Sequence, residues 1–142
     1  MEEQNTTKSN AEQYLQAGTI LVVDDDDNWC FISKRLFKKA GVGNQVITAS
    51  NGLDALNKLQ ALAANGEILP ALIFLDIKMP VMDGFEFLEE VTKSAELDIS
   101  STRIFLCSSS QHPTDKERAK LYPVAGFISK PLTQENLKVI ME

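Results

Sequence analysis

The stretch Leu72-Ile73-Phe74-Leu75-Asp76-Ile77-Lys78-Met79-Pro80-Val81-Met82-Asp83-Gly84 decides how the rest of the chain is read. It opens with a run of apolar residues that do not alternate with polar ones. That is the pattern of a short strand buried on both faces of a parallel sheet. A carboxylate, Asp76, follows where such a strand leaves the sheet. Pro80 and Asp83-Gly84 then mark a loop that ends at a helix start. Ligands of open α/β sheets sit at the carboxyl ends of strands, which makes Asp76 a candidate reactive group. Taken alone, Asp76 is equally well an ordinary turn residue, since Asp favours such positions. The choice rests on what other strand ends bring to the same place.

The flanking segments repeat the pattern. Ile20–Val23 is a second apolar, β-rich run, and it too ends in carboxylates, Asp24 to Asp27. From Asn28 onward, Trp29, Ile32, Leu36, Phe37 and Ala40 have helical spacing, stopped by Gly41 and Gly43. Gln45–Ala49 reads as a short strand. Ser50-Asn51 offers caps to a helix whose apolar stripe is Leu53, Leu56, Leu59, Leu62 and Ala63, closed by Asn65-Gly66. Asp83 caps a helix with Phe85, Leu88 and Val91 on its inner face. Ile104–Cys107 is the next strand and ends in Ser108-Ser109-Ser110, after which Pro113 suits the first turn of a helix running to about Leu121. Ala125–Ile128 is a last short strand, followed by Ser129-Lys130-Pro131. Thr133 caps the final helix, with Leu132 and Leu137 placed as a hydrophobic staple and Leu137, Ile140 and Met141 as its apolar face.

Strands alternating with helices in this way call for an α/β fold. The form expected is a doubly wound, five-stranded parallel sheet with right-handed crossovers, flanked by five helices on its two faces.

A length of 142 residues bounds this to one domain with one buried core. Residues 1–18 are polar, and are expected to form a mobile leader with room for a helical turn around Ala11–Ala17. The organised domain is expected over 19–142, with no linker to a second, output domain. The net charge of -6 argues against a nucleic-acid backbone and against an anionic membrane surface as partners. Cys30 and Cys107 stand apart in apolar surroundings, as reduced, buried thiols do. With no signal peptide and no apolar run long enough for a bilayer, the reading is a cytoplasmic protein.

Strand carboxyl ends of a parallel sheet share one edge, so Asp24, Asp25, Asp76, Ser108 and Lys130 can converge. Three carboxylates in one place repel one another unless a cation neutralises them. All-oxygen ligation favours a hard ion, and Mg²⁺ typically takes one or two carboxylates, waters and phosphate oxygens. With Mg²⁺ present, Asp76 becomes a plausible nucleophile toward a phosphoryl group. Metal, Lys130 ammonium and Ser108 hydroxyl then suit the three equatorial phosphoryl oxygens, whose charge must be neutralised during transfer.

At this point the sequence closely resembles the receiver domain of two-component response regulators, of the single-domain, CheY-like kind. The residues that carry the resemblance are Leu21–Asp25, Phe74–Gly84, Ile104–Ser108 and Ser129-Lys130-Pro131, and it runs from about Thr19 to Glu142. The resemblance implies the strand order 2-1-3-4-5. It implies Asp76 as the phosphoacceptor, taking phosphate from a sensor histidine kinase or a histidine phosphotransfer protein in a phosphorelay. It implies Asp25 as a direct ligand of Mg²⁺, Asp24 as a ligand through water, and the Lys78 backbone carbonyl as a further one. Ser108 and Phe127 match the two switch positions, and Lys130 the family lysine, with a cis Lys130-Pro131 bond. The face made by the fourth helix, fifth strand and fifth helix would then meet an unknown protein target. Such a chain catalyses only its own phosphorylation and dephosphorylation.

Other readings stand beside this one. Asp24–Asp27 could cap the first helix, and Asp26 and Asp27 are assigned to capping and solvation. A calcium loop fails, because Trp29 sits where its sharp turn demands Gly. On pattern alone, Phe127 is a core residue, Lys130 a surface lysine and Trp29 a core-facing residue near the acidic cluster. Ser109 stands where family members most often have Ala, and Lys78 and Ser110 occupy positions that tune phosphate lifetime. The connection Ala63–Pro70 is longer than usual. A phosphohydrolase working through an aspartyl-phosphate, and an unphosphorylated scaffold, remain as alternatives.

Overall fold

The computed structural model describes residues 18–108, 112–130 and 132–141, with the side chains of 139 and 141 excepted. Among them, β1 (Thr19–Val23), α1 (Asp27–Ala40), β2 (Gln45–Ala49), α2 (Gly52–Ala64) and β3 (Leu72–Asp76) come first. They are followed by α3 (Gly84–Lys93), β4 (Arg103–Ser108), α4 (Pro113–Ala119), β5 (Gly126–Ser129) and α5 (Gln134–Met141). The strands pair in parallel in the order β2-β1-β3-β4-β5. The leader and its helical turn lie outside the described residues.

The unbroken apolar strands are explained by a core on each face of the sheet. Side chains alternate along a strand, so Leu21, Val23, Ile73, Leu75 and Leu106 face α2 and α3, where Leu56, Leu59, Phe85 and Leu88 meet them. Ile20, Val22, Leu72, Phe74 and Phe105 face the other way, onto Trp29 and Phe37 of α1 and Leu137 and Ile140 of α5. On this face Phe37, Phe74 and Phe105 run as a chain of rings with centroids 5.0 and 6.0 Å apart. Each fully buried Phe or Leu contributes roughly 1.5–3 kcal/mol of transfer free energy.

The caps follow the sequence closely. Asp26 accepts the N–H groups of Asn28 and Trp29 and starts α1. Asn51 accepts the Asp54 N–H at 2.8 Å and starts α2. Asp83 and Glu86 form a reciprocal capping box on α3. Thr133 and Asn136 do the same for α5, the hydroxyl accepting the Asn136 N–H at 3.1 Å and the amide oxygen accepting the Thr133 N–H at 3.1 Å.

Three expectations need correction. In α1 the buried row is Trp29, Cys30, Ser33 and Phe37, whereas Ile32 is 56% exposed and Ala40 is exposed. The buried aromatic residues at both ends of the Trp29–Ser33–Phe37 row set the helix's rotation. In α2 the stripe begins at Gly52, not Leu53, which is 40% exposed. The Gly52 N–H donates to the Met82 carbonyl at 2.8 Å, and a Cβ there would run into that oxygen, so the glycine sets the helix's phase. Finally, β5 begins and ends one residue later than the apolar run, because Ser129 pairs with Ser108.

Candidate functional site

Register brings the polar ends together. Val23 pairs with Leu75, Asp76 with Cys107, and Ser108 with Ser129, so the residues that follow emerge along one edge. The Lys130 N–H donates to the Ser108 carbonyl at 2.9 Å, fixing the last of these tips to its neighbour.

Asp24 is the anchor of the edge. Its side chain is only 1% exposed, a placement rare for a carboxylate without partners. One oxygen accepts the Asp26 N–H at 2.9 Å and the other accepts a bond from Lys130 Nζ at 2.6 Å. The Asp24 N–H is held by the Ala49 carbonyl at 3.0 Å. Asp76 lies next to it, with Oδ1 accepting the Ile77 N–H at 2.9 Å and Oδ2 3.8 Å from Lys130 Nζ. Asp25 is exposed at the mouth. Carboxylate oxygens of Asp24, Asp25 and Asp76 all lie within 4.8 Å of one another.

The electrostatics follow from this crowding. Burial is the main cause that pushes the Asp76 carboxyl up to about 6, and the Asp24 charge adds to it. Lys130 and the Ile77 N–H oppose the rise without cancelling it. For Lys130, burial is the largest influence and works downward. The bond to Asp24 and the charges of Asp24 and Asp76 outweigh it and raise the ammonium above its ordinary value. Burial also pushes Cys30 up to about 11 and Cys107 up to about 12, so neither thiol is reactive at neutral pH.

The donor set fits Mg²⁺. It offers three carboxylates with oxygens at close quarters, and Lys130 is the one cation paired with them among the described residues. Lys78 is two residues beyond Asp76 with its side chain exposed.

The loop from Asp76 to Gly84 is shaped by contacts that the residue types only partly announce. The Gly84 N–H donates to the Ile77 carbonyl at 2.8 Å, and a Cβ at Gly84 would collide with the Asp76 carbonyl oxygen. Val81 has φ 71°, and the Met82 N–H donates to the Pro80 carbonyl across it at 2.8 Å. This is a γ-turn of the rare, strained hand, occupied by a β-branched residue. Nothing about a valine signals it in the sequence. The Gly52–Met82 bond, equally silent, clamps the same loop to α2.

Ser108 is half-buried at the end of β4. Phe127 is half-buried in β5, packed against the core on the α2 and α3 side together with Tyr122 and Val124. On that side the Tyr122 hydroxyl donates to Glu89 at 2.9 Å, and the Arg118 guanidinium sits 4.4 Å from the Phe85 ring centroid, mooring α4 to α3. Trp29, expected near the acids, has its ring centroid 4.9 Å from Lys130 Nζ. Ser109, Ser110, Pro131 and the bond preceding Pro131 lie outside the described residues. So do the first 17 residues.

The likeness to known proteins is consistent. A family model described as the response regulator receiver domain matches residues 20–142. Protein PilG of Pseudomonas aeruginosa is 30% identical over 126 residues, covering 89% of this chain and 86% of PilG. The sensor histidine kinase CheAY of Helicobacter pylori is 29% identical over 142 residues, which span 99% of this chain but 16% of that protein. Among solved structures, the chemotaxis protein CheY4 of Vibrio cholerae superposes with a TM-score of 0.73 at 28% identity, covering 88% of this chain and 96% of that one. Among the described residues no helix is long and apolar enough to cross a membrane.

Proposed function

This chain belongs to the response regulator receiver domain family, and on that premise we propose that it is a phosphorylation-switched signalling module. A histidine kinase or histidine phosphotransfer protein would deliver a phosphoryl group to Asp76. In that transfer the P–N bond of the donor phosphohistidine breaks, its electron pair stays on the imidazole, and a P–O bond forms to a carboxylate oxygen of Asp76. The observation that carries the reading is the meeting of Asp24, Asp25 and Asp76 oxygens within 4.8 Å, with Lys130 Nζ 3.8 Å from Asp76.

Each residue has a task that suits its chemistry. Asp76 must be ionised to attack, and a carboxyl at about 6 is mostly ionised at neutral pH. Lys130 offers donors to a phosphoryl oxygen and remains a cation throughout. The Ser108 hydroxyl, on the last residue of the neighbouring strand, would donate to another. Asp24, Asp25, Asp76 and the Lys78 carbonyl would hold Mg²⁺, which when bound supplies positive charge against the three carboxylates and the incoming oxygens.

The output follows as a population shift. A phosphoryl group at Asp76 draws Ser108 toward it, and Phe127 turns into the space released, re-forming the α4–β5–α5 face for a protein target. The shift requires the phosphorylated site to favour the active arrangement over the inactive one. The chain acts on its own carboxylate and turns over no external substrate, and it would work in the cytoplasm.

The test is intact mass after incubation with a small acyl phosphate and Mg²⁺. The expected result is one added phosphoryl group on the wild type and none on Asp76→Asn. A wild-type mass that stays unchanged, under conditions where Mg²⁺ is saturating, sinks the proposal.

A further inference from the structure

The Lys130 ammonium has a third neighbour that is neither an acid nor a hydroxyl. Its Nζ meets Asp24 at 2.6 Å and Asp76 at 3.8 Å, and the Trp29 ring centroid lies 4.9 Å away. A cation within about 6 Å of an indole face is attracted by the ring's quadrupole, and more strongly where water is partly excluded. Water is partly excluded here, since the Lys130 side chain is 18% exposed and Trp29 is 9% exposed.

The position of the ring is built into the fold. Trp29 lies in the first turn of α1, and its N–H donates to the Asp26 cap at 3.3 Å. Asp26 follows Asp24 by two residues and donates its own N–H to the Asp24 carboxylate at 2.9 Å. One short segment therefore carries both the acid that pairs with Lys130 and the ring that lies against it. Packing alone asks less of this position, because the core cluster it shares with Cys30, Phe37 and Ile128 needs only apolar volume.

We propose that Trp29 is a positioning residue for phosphoryl acceptance, its indole face holding the Lys130 ammonium between Asp24 and Asp76. A lysine has four rotatable side-chain bonds and three donors, so an ammonium drawn wholly onto Asp24 would be misplaced for a group on Asp76. The ring adds attraction to that of the two carboxylates, and it does so without a hydrogen-bond acceptor that would compete with the phosphoryl oxygens. This inference rests on the assignment of Asp76 as phosphoacceptor.

The test uses the full chain and four variants: Trp29→Leu, Trp29→Phe, Lys130→Met and the Trp29→Leu/Lys130→Met double variant. Trp29→Leu keeps apolar volume and removes the ring face, and Trp29→Phe keeps a smaller ring. First, with no phosphate or metal present, NMR of the wild type should show the Lys130 ε-methylene protons shifted upfield by the indole ring current, and the shift should vanish in Trp29→Leu. Second, the rate of phosphorylation from a small acyl phosphate at saturating Mg²⁺ should fall about two- to fivefold in Trp29→Leu. Trp29→Phe should recover part of that loss, and in a Lys130→Met background Trp29→Leu should cost nothing further.

Absence of the ring-current shift in the folded wild type overturns the contact. A folded Trp29→Leu that is phosphorylated as fast as the wild type overturns the positioning role alone. A wild type that shows the shift but accepts no phosphoryl group overturns the functional reading, and the positioning role with it.

Discussion

Lys130 Nζ stands 2.6 Å from a carboxylate oxygen of Asp24, an acid that the fold seals to 1% exposure. The two residues are 106 positions apart and come from opposite ends of the sheet's chain order. Their pairing closes the site across β1, β3, β4 and β5.

Removing one partner of such a pair leaves the other charge buried. Lys130→Met should therefore destabilise the metal-free protein by about 3 kcal/mol at neutral pH, read from urea unfolding midpoints. Added Mg²⁺ should restore much of that loss, because the cation returns positive charge to the same acids. An unfolding midpoint unchanged from wild type without metal would show that Asp24 is solvated after all.

Asp76 makes the opposite contribution. Its carboxyl is raised from 3.8 to about 6, chiefly by burial, so the folded state holds the proton more tightly than the unfolded chain does. Stability from this group is thus full below about pH 4 and is lost as pH rises through about 6. Asp76→Asn should stabilise the metal-free protein by up to about 3 kcal/mol at pH 7, and the gain should shrink to nothing near pH 4. Thermal melts of both proteins across that range check the sign. A gain that grows on acidification would refute it.

The single tryptophan reports on the acids beside it. Lys130 touches both the Trp29 ring and the carboxylates, so cation binding at the site should alter indole emission. Titration with Mg²⁺ should give a saturable fluorescence change, with a further change on adding beryllofluoride. Both should be lost in Asp25→Ala, whose folded state circular dichroism can verify.

Val81 carries strain that a residue without a Cβ would not. With φ at 71° and 74% exposure it gains nothing from burial that would compensate. Val81→Gly should stabilise the protein by about 0.5–1 kcal/mol, the relief of left-handed strain exceeding the entropy that glycine adds to the unfolded chain. A destabilised variant would mean that the valine side chain makes a contact outweighing its backbone.

Much of this architecture is legible in the residues alone. The apolar runs at Ile20–Val23, Leu72–Leu75 and Ile104–Cys107 demand burial on both faces, and helices between them leave a parallel sheet as the way to provide it. The caps Asp26, Asn51, Asp83 and Thr133 were equally readable, because capping is a bond between a side chain and a backbone a few residues away. The convergence of Asp24, Asp25, Asp76 and Lys130 was foreseeable for a different reason. Parallel strands put every carboxyl end on one edge whatever lies between them.

Helix rotation was less legible. Ile32 and Leu53 satisfy the apolar spacing as well as their neighbours do, yet both are largely exposed. Their phase was decided by contacts from elsewhere in the chain, Phe37 against Phe74 in one case and Gly52 against Met82 in the other.

The sequence by itself determined the element order, the helix starts and which polar residues share an edge, since these depend on local bonds and on the two-residue repeat of a strand. Only the tertiary structure decided that Lys130 leans on Asp24 more closely than on Asp76, that Trp29 lies against that ammonium, and that Val81 bends backward. Those outcomes depend on distances between segments far apart in the chain, and a side chain's identity carries no record of what will be packed beside it.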